Sequence, residues 1–569
     1  MSSLIEYCHT QFHTLPTIPI SNIIEENEKF GIITLKINKT NIITIPTLFL
    51  FTIDTTGSMI EYAYKTVSKL AVVKQTFRSM ITYLSKLETQ IYIRVHSFNE
   101  TVDVIVDTIL ITKDNITEII SKIDNLFADK TTNIGEALKR ADEFMKHYSN
   151  ECPTHQLVHI FMTDGEPTNG ITNENELSKL VNTRFTNNFV GFGLDHNASL
   201  LKKLSDLENS EYLFVDNMEN TTMIYGETIH RYLYSAIKNA EIIIENGLIY
   251  NWKTNTWDTK LVEPIIVSES EKIYHIKSKN IDELYIELNG VTDNDMNNIR
   301  IIEVIDVMPE LMLMKPNDNG VNGINEENEE TAYEIIPNDL SKYIFRQRTQ
   351  ELLFMCKSIL DKDKDNIDNN IDIDKKNFKL ALKSFFKVMR LYMKDNNLLK
   401  DKFMITLCDD ICITYRSFGS ATGLMYSAAR ATSQGRQQAY NATPIARSNN
   451  IPLRDFPDIP DFELTSSPKP PRLMRGVTRN MNMLTQEFID DVDNNVDNNA
   501  DIDKPKLQGV FTENDDTNSA FDKCNDVEPE PNPPIDVLCD IDEYELSNDV
   551  TSCYATEGSL NTMMTMSQL

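Results

Sequence analysis

The stretch 48–59, LFLFTIDTTGSM, determines the fold and raises the question of function. An apolar run ends on Asp54, and hydroxyl side chains follow at Thr55, Thr56 and Ser58, with Gly57 among them. Four explanations fit such a stretch: an aspartic-protease loop, a phosphate-binding loop, a metal site, or a buried strand that ends in a polar turn. Each makes a different demand on the rest of the chain.

The first two explanations fail on residue order. An aspartic-protease loop needs contiguous Asp-Thr-Gly in two copies, because its two carboxylates share one proton. Here Thr56 separates Thr55 from Gly57, and the stretch 163–165 reads TDG, in the reverse order. A P-loop ends in Gly-Lys-Ser/Thr, but this stretch has no lysine, and a phosphatase-type loop would need a second aspartate at position 56. The metal site and the polar turn remain.

Composition limits the class of protein. A chain of 569 residues is too long for one ordinary core, so two or three domains are expected. A formal charge of −31 opposes nucleic acid and anionic lipid as partners and favours cations. The eight cysteines form no CxxC pair, and the first residues lack a secretory pattern. Since the apolar run at 42–53 is too short for a membrane span, we expect a cytoplasmic protein with no membrane insertion.

Residues 48–238 alternate β-branched runs with helical patterns. The predicted strands read LFLFTID, IYIRVHSF, VDVIV, LVHIFMTD, FVGFGL and YLFVD. The predicted helices cover 59–86, 115–127, 135–148, 175–182, 198–206 and 224–238. This alternation, with strands that are apolar on both faces, predicts an α/β fold: a doubly wound, mostly parallel sheet between helix layers.

The remaining chain predicts accessory parts. Short strands over 239–310 indicate a small β-sandwich, to which the N-terminal segment 1–47 adds a strand, FGIITLKIN. Residues 335–440 have apolar side chains at helical spacing and predict a helical domain. The Asp/Asn-rich stretch 361–372 lacks the glycine and the final glutamate of an EF-hand loop, which favours a solvated insertion. Residues 441–569, rich in Pro, Asn and Asp, predict a disordered tail.

Oxygen-bearing side chains recur at the ends of predicted strands. Asp54, Thr56 and Ser58 alternate along the first loop, Thr132 precedes a helix, and Asp164 follows an apolar strand. Ligands bind at the carboxyl ends of strands in an open α/β sheet, and hard divalent cations take oxygen ligands. We also expect the following helix to begin at this loop and its N-terminus to favour an anion there. The pattern favours a metal site over a polar turn.

These three motifs resemble the von Willebrand factor A domain, whose metal-ion-dependent adhesion site uses Asp-x-Ser-x-Ser, a distant Thr and a distant Asp. The resemblance implies that Asp54, Thr56, Ser58, Thr132 and Asp164 hold Mg²⁺, with Mn²⁺ or Ca²⁺ possible. It also implies a partner protein that offers a carboxylate, and binding rather than catalysis. Two departures are Thr56 in place of serine, and Lys130-Thr131 where the family often has glycines.

A second resemblance concerns the order of the parts. An A domain followed by a β segment and a helical segment is similar to RING–vWA proteins of plants and protists, and 415–439 looks like the end of their helical region. The chain has no Cys/His set of RING spacing. Two functions therefore stay open: an intracellular scaffold or adaptor, and a recognition subunit of a ubiquitin-ligase-type complex. The strand histidines His96 and His159 are predicted to be structural.

Overall fold

The computed structural model describes residues 4–15, 27–64, 67–193, 196–215, 221–294, 297–307, 311–314, 333–336, 338–364, 371–420, 422–439, 539–547 and 551–569. All of them belong to one of two units of the chain, formed by residues 1–446 and 511–569. The other unit, 447–510, and most of the predicted tail lie outside the described residues. So do residues 365–370 of the Asp/Asn-rich stretch.

The strands within the described ranges are Ile5–Phe12 (β1), Lys29–Ile37 (β2), Thr47–Asp54 (β3), Tyr62–Tyr64 (β4), Val67–Ser68 (β5), Ile91–Phe98 (β6), Val102–Leu110 (β7), Gln156–Thr163 (β8), Thr186–Phe192 (β9), Ser210–Val215 (β10), Ser235–Glu245 (β11), Leu248–Asn251 (β12), Thr256–Asp258 (β13), Lys260–Val267 (β14), Glu271–Ser278 (β15), Tyr285–Asn294 (β16), Asn297–Val304 (β17), Asp306–Val307 (β18), Leu311–Met314 (β19) and Tyr333–Ile336 (β20). The helices there are Lys69–Leu84 (α1), Ile116–Asp124 (α2), Ile134–Glu151 (α3), Glu174–Ser178 (α4), Ala198–Ser205 (α5), Thr221–Leu233 (α6), Ser341–Lys364 (α7), Ile371–Asp395 (α8), Lys402–Ser417 (α9), Gly423–Arg436 (α10) and Glu557–Ser567 (α11).

The sheet that carries the site has the order β10-β9-β8-β3-β6-β7. Its strands pair in parallel except for β7, which is antiparallel to β6 at one edge. Every residue of β3 is buried, because alternate side chains face opposite helices. The Phe51 ring packs against Phe77 of α1, and Leu50 clusters with Met145 of α3. The predicted doubly wound, mostly parallel α/β sheet is confirmed.

The accessory β part consists of two sheets that share one core. One has the order β13-β12-β15-β2-β1-β18, and the other has the order β14-β11-β16-β17. Ile33 and Ile276 from the first sheet pack with Ile242 and Leu288 from the second. The N-terminal strand β2 pairs with β15 along its whole length, so the parallel-sheet domain is inserted between strands of this sandwich.

Helices α7 to α10 pack around buried apolar side chains such as Phe345, Leu382 and Leu407. A fully buried polar group holds α9 to α10: the Arg430 guanidinium donates to Asp410 at 2.9 Å, and the Gln434 amide donates to the other carboxylate oxygen at 2.7 Å. Because every charged atom in a protein interior needs a partner, this group fixes how the two helices pair.

The C-terminal end of the chain differs from the prediction. Disorder was expected through residue 569, but α11 packs on α6 and contacts α1. Met563 and Met566 are fully buried, and the Thr562 hydroxyl hydrogen-bonds His230 Nδ1 at 2.9 Å. The prediction fails here because a segment with two methionines at helical spacing can form a helix when another helix offers an apolar surface to pack on.

Two element boundaries also differ. The predicted helix 59–86 begins only at Lys69, where the Ser68 hydroxyl caps the Ala71 N–H. Residues Gly57–Ile60 form a single 3₁₀ turn, and β4 and β5 follow it, since Tyr and Val favour strands. At the other end, α6 stops at Leu233 and β11 carries the chain into the sandwich.

None of the helices in the described ranges combines the length and the apolarity that crossing a bilayer requires.

Candidate metal centre

The first loop of the site is tied to its neighbours by backbone hydrogen bonds. Asp54 is the last residue of the buried strand β3. The N–H and the hydroxyl of Thr55 both donate to the carbonyl of Phe98, at the end of the adjacent strand β6. The Gly57 N–H donates to the Lys130 carbonyl at 3.1 Å. These bonds fix the loop at the carboxyl edge of the sheet, against the segment that precedes α3.

A chain of hydrogen bonds links the oxygen atoms of the first and third motifs. Asp54 Oδ1 accepts from the Thr56 N–H at 2.8 Å, and Asp54 Oδ2 accepts from the Thr163 hydroxyl at 2.6 Å. The hydroxyl oxygens of Thr56 and Ser58 lie 3.0 Å apart, and the Ser58 hydroxyl donates to Asp164 Oδ1 at 2.8 Å. The two strand ends thus present their side-chain oxygens to the same point.

Thr132, the second motif in chain order, lies beside the same point, next to Gly165. A Cβ atom on Gly165 would lie 3.6 Å from both Ser58 Oγ and Thr132 Oγ1. The Thr132 N–H donates to the Thr168 hydroxyl, and its carbonyl accepts from the N–H groups of Thr168 and Asn169. The bare backbone at Gly165 therefore leaves a space bounded by hydroxyl oxygens from two separate loops.

The loop before Thr132 has a left-handed residue at Lys130, where the family that the motif resembles often has glycine. Lys130 has φ +69°, a left-handed conformation that costs a residue with a Cβ atom about 1–2 kcal/mol relative to the right-handed one. Glycine adopts it freely, which is consistent with glycines at this place in the family that the motif resembles.

A lysine that the sequence analysis did not single out completes the site. Lys69 Nζ lies 2.7 Å from Asp164 Oδ2 and 3.2 Å from Glu61 Oε2. The lysine side chain is 5% exposed, and the Asp164 side chain is fully buried. Since α1 begins at Lys69 rather than at the loop, the expected field of a helix N-terminus at Ser58 is absent, and the Lys69 ammonium supplies positive charge instead.

Burial governs the acid–base state of Asp54. It raises the pKa of Asp54 to about 6, and the charge of Asp164 adds to that rise. Hydrogen bonds from Thr163 and Thr56 act in the opposite direction because they stabilise the carboxylate. A buried carboxylate of this kind gains from any positive charge placed beside it.

The donor set suits a hard divalent cation. Two carboxylates and three hydroxyls are oxygen ligands of the kind that Mg²⁺, Mn²⁺ and Ca²⁺ take, and the bare backbone at Gly165 leaves space beside the Ser58 and Thr132 hydroxyls. Within the described ranges, no group of three or more His, Cys, Asp or Glu side chains forms a metal site. The centre therefore depends on hydroxyl donors.

The structure brings all five predicted residues to one place, and it adds Thr163, Gly165 and Lys69. One signal for Lys69 exists in the sequence: a cation is unfavourable in the first turn of a helix, so a lysine directly after the cap Ser68 needs a carboxylate partner. The two strand histidines have structural roles, as predicted. His159 hydrogen-bonds Thr52 and Asn187, and His96 accepts from Arg94.

The comparisons with known proteins concern mainly the region that contains the parallel sheet. A profile of the von Willebrand factor type A domain matches residues 50–227. This region is a vWA domain. The inter-alpha-trypsin inhibitor heavy chain H2 of Mesocricetus auratus is 32% identical over 174 residues. That match covers 29% of this chain and 17% of the hamster protein, so only a small part of that relative has a counterpart here.

Solved structures similar to the chain include the ArnB paralog VWA2 from Sulfolobus acidocaldarius. It is 12% identical with a TM-score of 0.44, and the match covers 76% of this chain and 98% of that one. Proximal thread matrix protein 1 from the mussel byssus, in a structure with zinc in its metal-ion-dependent adhesion site (MIDAS) motif, is 17% identical with a TM-score of 0.28. That match covers 36% of this chain and 51% of the mussel protein.

Proposed function

We propose that the vWA domain binds partner proteins through a divalent cation, with Mg²⁺ preferred and Mn²⁺ or Ca²⁺ as alternatives. The residues proposed to hold it are Asp54, Thr56, Ser58, Thr132 and Asp164. The observation that carries the proposal is the space at Gly165, which is bordered by hydroxyls of two loops and adjoins the Ser58–Asp164 hydrogen bond. A bound cation would offer an open coordination position to a carboxylate of the partner.

The chain's own residues prepare the site for an anionic partner. Thr163 and the Thr56 N–H hold both oxygens of Asp54, which fixes that carboxylate. The Lys69 ammonium offsets the charge of Asp164. With one of its two carboxylates already neutralised and three neutral hydroxyls as the other donors, the loaded site keeps a net positive charge. That charge favours a carboxylate from outside.

We infer binding rather than catalysis, and an adaptor or scaffold role for the whole chain. The Ser58 hydroxyl donates to Asp164, and that carboxylate is held by the Lys69 ammonium. This arrangement orients the serine as a ligand and does not prepare it as a nucleophile, which would need a free base beside it. The sandwich and the helical domain give such a scaffold further surface.

The test is affinity capture with the full chain in Mg²⁺ and in chelator, followed by mass spectrometry. We expect partners that are retained only in Mg²⁺ and are lost with Asp54→Ala combined with Thr132→Ala. A matched control combines Asp282→Ala with Thr254→Ala, the same exchanges at exposed sandwich positions, and should retain every partner. Equal retention by the site variant would overturn the proposal, provided circular dichroism shows that it is folded. Ubiquitin-conjugating factors among the partners would point to the ligase-type complex.

A further inference from the structure

Large apolar side chains are exposed beside the candidate metal centre. Among the described residues the three most exposed are Phe127 at 74%, Tyr62 at 71% and Ile60 at 61%. Large apolar side chains that gather at one place on a protein surface mark an interaction site. All three belong to segments that hold the site together.

The three side chains belong to two segments that hydrogen bonds join at the first loop. Ile60 ends the 3₁₀ turn that contains Ser58. Tyr62 follows Glu61, whose carboxylate accepts from Lys69. Phe127 lies three residues before Lys130, whose carbonyl accepts from the Gly57 N–H. That bond joins the two segments, with Ile60 three residues from one bonded residue and Phe127 three residues from the other. We call Ile60, Tyr62 and Phe127 the apolar rim.

The charged side chains around the rim are mainly acidic. Exposed carboxylates stand at Glu61, Glu100, Asp129 and Glu166, and Lys130 is an exposed cation among them. Each acidic residue is near the site: the Thr131 hydroxyl, for example, donates to Glu100 at 3.2 Å. A uniformly acidic partner would be repelled by this border, as it would by the −31 charge of the chain.

We propose that the partner segment has a central acidic residue flanked by apolar and basic side chains. This inference rests on the proposed function, since the acidic residue is the one that would meet the bound cation. The apolar flanks would cover the apolar rim, and the basic flanks would pair with the exposed carboxylates. The chemistry identifies a mixed peptide segment rather than a carboxylate alone.

The test uses fluorescein-labelled peptides and fluorescence anisotropy with the full chain in Mg²⁺. Three peptides share a central glutamate, which is flanked by leucine and lysine, by leucine and glutamate, or by serine. We expect the leucine–lysine peptide to bind about tenfold or more tightly than the other two. Its affinity should fall about fivefold or more in Phe127→Ser and in Tyr62→Ser. The matched control Leu380→Ser, on a 56% exposed leucine of α8, should leave it unchanged.

The outcomes separate this inference from the proposed function. Equal, Mg²⁺-dependent binding of all three peptides would overturn the inference and leave the proposed function standing. Unchanged affinity in both rim variants would also overturn it.

A fourth peptide tests the proposed function: it replaces the central glutamate with glutamine in the leucine–lysine context. If that peptide binds equally well, and chelator has no effect, the proposed function fails as well. No binding by any peptide would overturn the inference, and a separate titration with Mg²⁺ alone would then decide whether the metal site exists.

Discussion

Replacing Lys69 with methionine tests how the site balances its charge. The change keeps most of the unbranched side chain and removes the ammonium that lies 2.7 Å from Asp164 Oδ2. Because the Asp164 side chain is fully buried, its carboxylate would keep the Ser58 hydroxyl as a donor and lose its counter-charge. Removing one partner of a buried pair costs about 3–5 kcal/mol. We expect about 3 kcal/mol, since Glu61, the second partner of Lys69, is largely exposed and water can enter beside it.

A double-mutant cycle with Asp164→Asn isolates the pair. Asp164→Asn alone should cost less, about 1–2 kcal/mol, because Lys69 keeps its bond to Glu61. The double variant removes both charges, so it should be about 2 kcal/mol more stable than the sum of the single effects predicts. The measurement is hydrogen exchange with mass spectrometry on peptides that cover 48–61 and 158–170, which reports local opening free energies.

The same variants predict a response to metal. Mg²⁺ should slow hydrogen exchange more in Lys69→Met than in the unchanged chain, since the added cation would compensate the negative charge of Asp164. A coupling energy below about 0.5 kcal/mol would refute the reasoning, and so would equal responses to Mg²⁺.

Further predictions concern buried positions elsewhere in the fold. Burial lowers the pKa of His159 to about 4, below the value of about 6.5 in the unfolded chain, so the fold is favoured while the histidine is neutral and loses that stabilisation as pH falls. Between about pH 7 and about pH 5 the free energy of unfolding should drop by about 2 kcal/mol because of this histidine. Urea unfolding of His159→Gln should therefore depend less on pH. Met563→Ala empties a buried position of α11 and should cost about 2–5 kcal/mol; faster hydrogen exchange confined to 551–569 would be the sign, and unchanged exchange would contradict the docking of this helix. A methyl group in Gly435→Ala would overlap the Trp252 indole and should lower stability by about 1–3 kcal/mol, which thermal unfolding followed by tryptophan fluorescence would detect.

The parallel sheet could be predicted because its strands are governed by local pattern. A strand buried on both faces, such as β3, reads as a continuous apolar run, and the loop after such a strand must lie at the sheet edge. Asp54 ends β3 and Asp164 directly follows β8, and these two strands pair side by side in parallel, so the fold class implied that the two aspartates meet. Thr132 was indicated by its place before a predicted helix and by the family resemblance, whereas the hydrogen bonds to Thr168 that fix its loop are encoded by no spacing rule.

The parts that were missed depend on distant contacts. Lys69 reaches Asp164 only because β4 and β5 intervene before α1, and the apolar periodicity over 59–86 does not show that the helix begins after Ser68, so the signal that Lys69 carries is readable only once that boundary is known. The helix α11 lies at the end of a long polar stretch, so composition averaged over the tail hides Met563 and Met566. Their burial is supplied by α6, more than 300 residues earlier in the chain.

The most direct test of the central claim is the number of divalent ions that the site binds. Electron paramagnetic resonance of free Mn²⁺ during a titration gives this number for the full chain. We predict one specific ion for the unchanged chain, binding about tenfold or more weakly in Ser58→Ala, and no specific ion in Asp54→Ala combined with Asp164→Ala. The control Ser121→Ala, an exposed serine of α2, should bind as the unchanged chain does. Equal Mn²⁺ binding in all four proteins would contradict the account.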